Sequence, residues 1–339
     1  MKALAAAASR KTWRSPEPLS FVAARWAIIG HELPPLRVVA GYVALVLIWG
    51  STWAAIKIGV ADVPPFVFAF ERAVAVSGVL TVLALILGQR FPSSTRERVA
   101  AALVGIFNTG TSWALIFWSE QYVPSGIVSV FGATAPVWTA FLAHFLVRGD
   151  RLSAFKLIGL ALGLLGTAIL VGSQTAGESG PVLLATALLA LMPVTWAVAA
   201  ILSARTLARS APIATVAAGT WAGSAVLAPF ALTQLSVSSH WTAASAIALA
   251  YLVLLGSCVG LVLNLWLYRK LRPTTTSLAQ VLIPAEAILI GTLALGEPLT
   301  VRMLGGAGLV VAAVVLNAIA GGGPPAQEAA VSRPAAAAE

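Results

Sequence analysis

The sequence predicts an all-α membrane protein: ten transmembrane helices arranged as two inverted five-helix repeats. Three observations carry that prediction. The chain of 339 residues is 59% hydrophobic and only 10% charged, with a mean hydropathy of +0.92, whereas soluble domains carry about 25% charged residues. Its apolar stretches run unbroken for about 20 residues, the length that crosses a hydrocarbon core as a helix, rather than alternating as barrel strands do. Basic residues gather in every second loop, and the two halves of the chain share one order of Pro, acid and Gly.

Residues 1–37 read as a basic, disordered cytoplasmic tail, because the early alanine run is interrupted by Ser9 and Arg10 and is too short for a signal peptide. The first repeat, 38–174, holds spans at about 39–60, 66–87, 97–117, 123–147 and 153–172. The second, 181–320, holds spans at about 182–206, 213–235, 243–268, 273–295 and 300–320. Turn chemistry separates them: Asp62-Val63-Pro64-Pro65, Gly88 with Pro92-Ser93-Ser94, Gly177 to Pro181, and Ser210-Ala211-Pro212. Residues 321–339, rich in Gly, Pro and Ala with no periodic apolar face, form a disordered cytoplasmic tail.

Orientation follows from Lys and Arg, which are retained on the cytoplasmic side of a span. Arg90, Arg96 and Arg98 follow span two; Arg148, Arg151 and Lys156 follow span four; Arg205 and Arg209 follow span six; Arg269, Lys270 and Arg272 follow span eight. The alternate loops hold Asp62, Glu120, Glu178, His240 and Glu297, with only Lys57 and Arg302 nearby. Ten spans with both termini in the cytoplasm of an inner-membrane protein is the simplest solution. The same basic clusters account for the net charge of +9, so no nucleic-acid partner is expected. Cys258, the single cysteine, has no partner for an internal disulfide.

The repeat is visible by eye. In both halves a Pro and a small hydroxyl residue open a span (Pro124-Ser125, Pro273-Thr274), a second Pro sits within it (Pro136, Pro284), and Gly then precedes an acid (Gly149-Asp150, Gly296-Glu297). Leu152 and Leu299 follow, then Gly159 and Gly306. Five is odd, so the second copy enters the bilayer from the opposite side, the arrangement that supports alternating access around a mid-membrane site.

With IWGSTWAAIKIG (48–59) in span one, VPPFVFAFERA (63–73) leading into span two, and the shared order of Pro, acid, Leu and Gly, the chain resembles the EamA-type branch of the drug/metabolite transporter superfamily over roughly residues 39–320. That resemblance implies a ten-helix bundle that exports small metabolites, often amino acids, from the cytoplasm. It places Arg72 where such proteins commonly carry an Arg in span two, and Asp150 and Glu297 at the acidic position opening spans five and ten. Span six carries Thr195-Trp196-Ala197 without a second Trp-Gly-Ser element.

Glu286 lies about 20 Å along span nine, far from both interfaces. An acid there faces a wet cavity or a partner, or holds a proton. Pro284, two residues earlier, frees a carbonyl that a cavity wall tolerates. Glu286 therefore contacts a substrate amine or carries a coupling proton, with a structural hydrogen bond to a neighbouring helix as the alternative. Lys57 and Glu71 are read as an ion pair across the first hairpin, leaving Arg72 for a substrate carboxylate; a purely structural ion pair with a snorkelling Arg is the plainer account. Trp49 and Trp53, four residues apart, share a helix face, and Trp49, Trp138 and Trp196 fall at mid-span, as pocket walls or as ordinary packing. Asn108 and Gln280 add polar contacts to the cavity or between helices. Asp150 and Glu297 open the last helix of each half, where a carboxylate complements the macrodipole.

His31, His144 and His240 are scattered, and HExxH, GxSxG and Walker patterns are missing from the sequence, so no metal, cofactor or enzymatic centre is expected. A secondary transporter exporting small, amphipathic metabolites such as amino acids is the expected function. A passive channel, or an intramembrane enzyme acting on a lipid-soluble substrate, is the alternative.

Overall fold

Lipid offers the backbone no hydrogen-bond partner, so a chain this apolar must satisfy its amides internally, and helices do so. The computed structural model describes residues 35–146, 153–175, 180–271 and 279–320, and among them there are helices and no strands. Tails 1–34 and 321–339, together with Arg148, Asp150, Arg151, Glu178 and Arg272, lie outside the described residues. In order the helices are α1 (Leu36–Asp62), α2 (Pro65–Ile86), α3 (Thr95–Ser119), α4 (Ser125–Leu146), α5 (Ala154–Thr175), α6 (Gly180–Thr206), α7 (Pro212–Thr233), α8 (Ala243–Tyr268), α9 (Ala279–Leu295) and α10 (Val301–Ala320). Seven are long and apolar enough to cross a membrane; α5, α9 and α10 contribute shorter apolar stretches.

Helix starts follow local chemistry. Pro65 and Pro212 stand at first positions, where a missing N–H is no loss. Ser94 with Glu97, and Thr242 with Ser245, form capping boxes for α3 and α8. Hydroxyls inside the helices turn back on their own carbonyls, as Ser77 does on Ala73 at 2.7 Å and Thr220 on Val216 at 2.8 Å. Large apolar side chains such as Val82, Leu85, Ile247 and Leu293 point outward, while Arg72, Glu120, Ser112 and Ser125 are buried. This is the reverse of a soluble protein and suits a hydrocarbon solvent.

Two helices depart from the single rods expected. α4 breaks at Thr134 into Ser125–Ala133 and Ala135–Leu146, so Pro136 opens a new helix. Its counterpart Pro284 stays inside an unbroken α9. α6 also breaks, into Gly180–Leu189 and Met192–Thr206, with Pro193 in the first turn of the second piece.

Contacts recur reciprocally between the two halves. Gln89, just past α2, accepts hydrogen bonds from Ile213 N and Ala214 N at the start of α7, at 3.0 and 3.1 Å. Gln234, just past α7, accepts from Phe66 N at the start of α2, at 2.9 Å. Helices α5 and α10 repeat the pattern: Gly159 sits against Asn317 and Gly306 against Leu170, and each residue of the first contact lies as far along the chain from its counterpart in the second as Gly159 does from Gly306. Gly166, against Gly306 and Val310, completes an antiparallel seam in which the missing side chains let the backbones approach. Helices α3 and α8 each carry a π-helical segment, Ile106–Thr111 and Leu252–Val259, at matching places in the two halves. In α3 that segment adjoins a crossing with α7 where a Cβ at Gly105 would overlap the Gly219 carbonyl.

Candidate functional site

The stretch Trp49-Gly50-Ser51-Thr52-Trp53 at the middle of α1 divides its contacts between α8 on one face and α4, α6 and α9 on another. Trp49 donates its indole Nε1–H to the Gly256 carbonyl at 3.2 Å, and Thr52 packs against Gly256 as well, so this face of α1 holds the π-helical segment of α8. A longer turn leaves carbonyls imperfectly paired, and an indole donor is a suitable partner. Ser51 Oγ and Tyr251 Oη share a hydrogen bond of 2.5 Å, tying α1 to α8 again. The adjoining face, Gly50 and Trp53, looks at Glu286, Trp196 and Gly132.

Glu286 sits on the flank of α9 between the buried Ile283, Pro284, Ala287 and Gly291 and the outward Leu282, Leu289 and Leu293. Its carboxyl packs onto the backbone of Gly50, where any Cβ would overlap it, and Oε2 is enclosed with no hydrogen-bond partner. Trp53, only 8% exposed, lies 6.4 Å from Trp196 between ring centroids, tilted by 47°. Gly132 of α4 sits beneath both rings, and Trp53 Nε1 is likewise buried without a partner. Glu286, Trp53 and Trp196 are therefore drawn around one face of α1.

Other expected contacts are redistributed. Trp49 shares a helix face with Trp53 by spacing, yet its indole is spent on α8. Trp138 lies beyond the Thr134 break and meets Phe141 edge-on at 6.2 Å. Asn108 is exposed, within the π-helical segment of α3, rather than lining the Glu286 site. Gln280 lies in the first turn of α9, with its side chain outside the described residues, as is all of Asp150.

The charged residues of the first hairpin also correct the expectation. Lys57 does not pair with Glu71: its Nζ donates to the carbonyls of Glu120 and, at 3.1 Å, Val123, between α3 and α4. Glu71 remains half-buried on α2. Arg72, 7% exposed, lies with its guanidinium carbon 4.1 Å above the Trp113 ring, and its Nη2 donates to Ser257 Oγ at 3.2 Å. It is thereby held against the π-helical segment of α8.

Two acids differ from their sequence assignment. Glu297 complements a helix dipole, but of α4 rather than α10: it accepts from Ser125 N at 2.7 Å, Ser125 Oγ at 3.0 Å and Gly126 N at 3.3 Å. Glu120, assigned to an outer loop, is fully buried, and both carboxyl oxygens lack hydrogen-bond partners. Burial pushes its carboxyl well above the ordinary carboxylate range; Lys57 pulls it down, Glu297 pushes it further up and Arg72 pulls it down. Sequence reasoning missed Glu120, Trp113, Tyr251 and Ser257. Only the density of Trp, Gly and hydroxyl residues in 49–53 signalled where the partners would converge.

The sequence pattern of the EamA-like transporter family matches residues 36–172 and, a second time, residues 183–319. The chain belongs to that family. As an EamA-like transporter it is an integral membrane protein, and its relatives are named for transport. It is 25% identical over 284 residues to YoaV, an uncharacterized transporter of Bacillus subtilis (strain 168), across 83% of this chain and 97% of that one. It is 28% identical over 275 residues to YedA, an uncharacterized inner membrane transporter of Escherichia coli (strain K12), across 80% and 88%. It is also 28% identical over 284 residues to a probable terminal-alkyne amino-acid exporter of Streptantibioticus cattleyicolor, across 83% and 93%. A solved crystal structure aligns with a TM-score of 0.57 at 19% identity, over 84% of this chain and 97% of that chain, a likeness of fold alone. Family membership gives the EamA-like chain a small-molecule substrate and a membrane setting; around Gly50 and Trp53 one buried acceptor, Glu286 Oε2, and one buried donor, Trp53 Nε1, are both unpartnered.

Proposed function

We propose that this protein exports small amphipathic metabolites, amino acids foremost, by alternating access around the Gly50–Trp53 face of α1. In this reading ten spans form two inverted repeats, 38–174 and 181–320, with both tails in the cytoplasm. The observation that carries it is reciprocity: Gln89 caps α7 while Gln234 caps α2, and the α5–α10 seam pairs counterpart positions of the two halves. Halves that make the same contacts in opposite directions have two equivalent ways of packing, and exchanging them moves an opening across the bilayer.

The cargo class rests on the site. An acid whose carboxyl packs onto the Gly50 backbone with a buried, unpartnered oxygen, on the face of α1 where Trp53 meets Trp196, suits an amine attached to an apolar body. The name of the Streptantibioticus cattleyicolor relative, an amino-acid exporter, supports both cargo and direction. Glu286 receives the amine or a coupling proton; Trp53 and Trp196 wall the site. Trp49, Arg72, Lys57 and Pro136 position the helices around it, and Trp138, Glu71 and Asn108 stand outside this contact set; the Gln280 side chain and Asp150 lie outside the described residues.

Counterflow in proteoliposomes tests the proposal. Purified protein is expected to exchange labelled L-leucine against unlabelled L-leucine saturably, and Glu286→Gln to abolish exchange or its dependence on pH. Linear, non-saturating flux would mean a channel, and chemical change of a lipid-soluble substrate would mean an enzyme.

A further inference from the structure

We infer that the indole N–H of Trp53, rather than the Arg72 guanidinium, receives the anionic end of the cargo while Glu286 receives its cationic end. This rests on the reading of the Glu286 site given above. The two tryptophans of the stretch 49–53 divide their labour: Trp49 Nε1 donates to Gly256, whereas Trp53 Nε1 is enclosed and unpartnered in a residue only 8% exposed. A buried donor without an acceptor is costly, and native structures keep few of them. Glu286 Oε2 is the matching acceptor, also enclosed and unpartnered.

Both groups meet the same face of α1, at positions 50 and 53, one helical turn apart. One unspent donor and one unspent acceptor on this face, with Trp196 and the bare backbone of Gly132 packed against Trp53, fit a zwitterion carrying an apolar body. Arg72 is placed otherwise. Its Nε has no partner, but Trp113 covers the guanidinium face at 4.1 Å and Ser257 occupies Nη2, so Arg72 is a positioning residue for α8.

Three probes of one shape separate the roles: L-leucine, 3-methylbutylamine, which lacks the carboxylate, and 4-methylpentanoate, which lacks the amine. Binding to purified protein in lipid nanodiscs is measured for wild type, Trp53→Phe and Glu286→Gln. A protein with 3-benzothienylalanine at position 53, introduced by nonsense suppression, keeps the ring shape, loses the N–H and covers the case in which Trp53→Phe does not fold. Loss of the N–H is expected to weaken L-leucine and 4-methylpentanoate about tenfold and leave 3-methylbutylamine unchanged. Glu286→Gln is expected to do the converse, weakening L-leucine and 3-methylbutylamine. Equal weakening of all three probes in both Trp53 variants, or none, overturns the inference and leaves the Glu286 reading standing. Failure of wild type to bind any probe overturns the cargo class and this inference with it.

Discussion

The carboxylate of Glu297 accepts the backbone N–H of Ser125 at 2.7 Å, joining the loop before α10 to the first turn of α4 across 172 positions of sequence. The same group takes Ser125 Oγ and Gly126 N, so one side chain neutralises a helix N-terminus whose own cap, Pro124, makes no side-chain hydrogen bond. A charged acceptor on unpaired amides at the positive end of a dipole is among the stronger helix caps.

Glu297→Ala is therefore expected to lower stability by about 1–2 kcal/mol, with Glu297→Gln intermediate because its amide oxygen still accepts. Thermal unfolding in detergent measures it. A Glu297→Ala protein as stable as wild type would show that water replaces the cap without loss.

Gly50 is the position that Glu286 leaves no room to fill. Gly50→Ala is expected to cost about 1–3 kcal/mol by forcing the carboxyl and α9 aside. Combined with Glu286→Ala the cost should largely vanish, because the clash is gone, while transport stays lost. Additive losses in the double variant would mean that the two residues do not meet.

The helices were legible because a bilayer imposes a length and a charge rule that any 20-residue apolar run displays. The repeat was legible too, and its marked glycines Gly159 and Gly306 are among the points where α5 and α10 touch. The partners of the charges were not. Closeness in the hairpin matches Lys57 with Glu71, yet Lys57 reaches carbonyls near the far end of α3. Sequence position assigns Glu297 to the helix it precedes, and it caps another. Contacts of this kind are set by how helices cross, which residue types do not encode locally. The π-helical segments left no signal either, since spans that are apolar on every side have no hydrophobic stripe for a one-residue register change to displace.

Arg72 distinguishes positioning from binding. Arg72→Lys keeps the charge but loses the planar stack on Trp113, so reduced thermal stability and a lower maximal counterflow rate are expected, with KM for L-leucine within about twofold of wild type. A tenfold rise in KM at unchanged maximal rate would return Arg72 to the cargo carboxylate.

Glu120 gives the protein a pH dependence whose sign follows from its burial. Its carboxyl is pushed above its ordinary value of 4.5, against the pull of Lys57 and Arg72, so folding favours the protonated form. The stability it contributes is full below the unfolded value and is lost as pH rises through the raised folded value. Glu120→Gln, neutral throughout, should remove that slope: measured from pH 4.5 upward to about 8, the Tm of wild type is expected to fall relative to the variant. Lys57 stays held in the variant, because it donates to the backbone carbonyls of Glu120 and Val123 rather than to the carboxylate. A constant difference in Tm across that range would mean that the Glu120 carboxyl gains nothing from its proton on folding, and that Lys57 and Arg72 offset the burial in full.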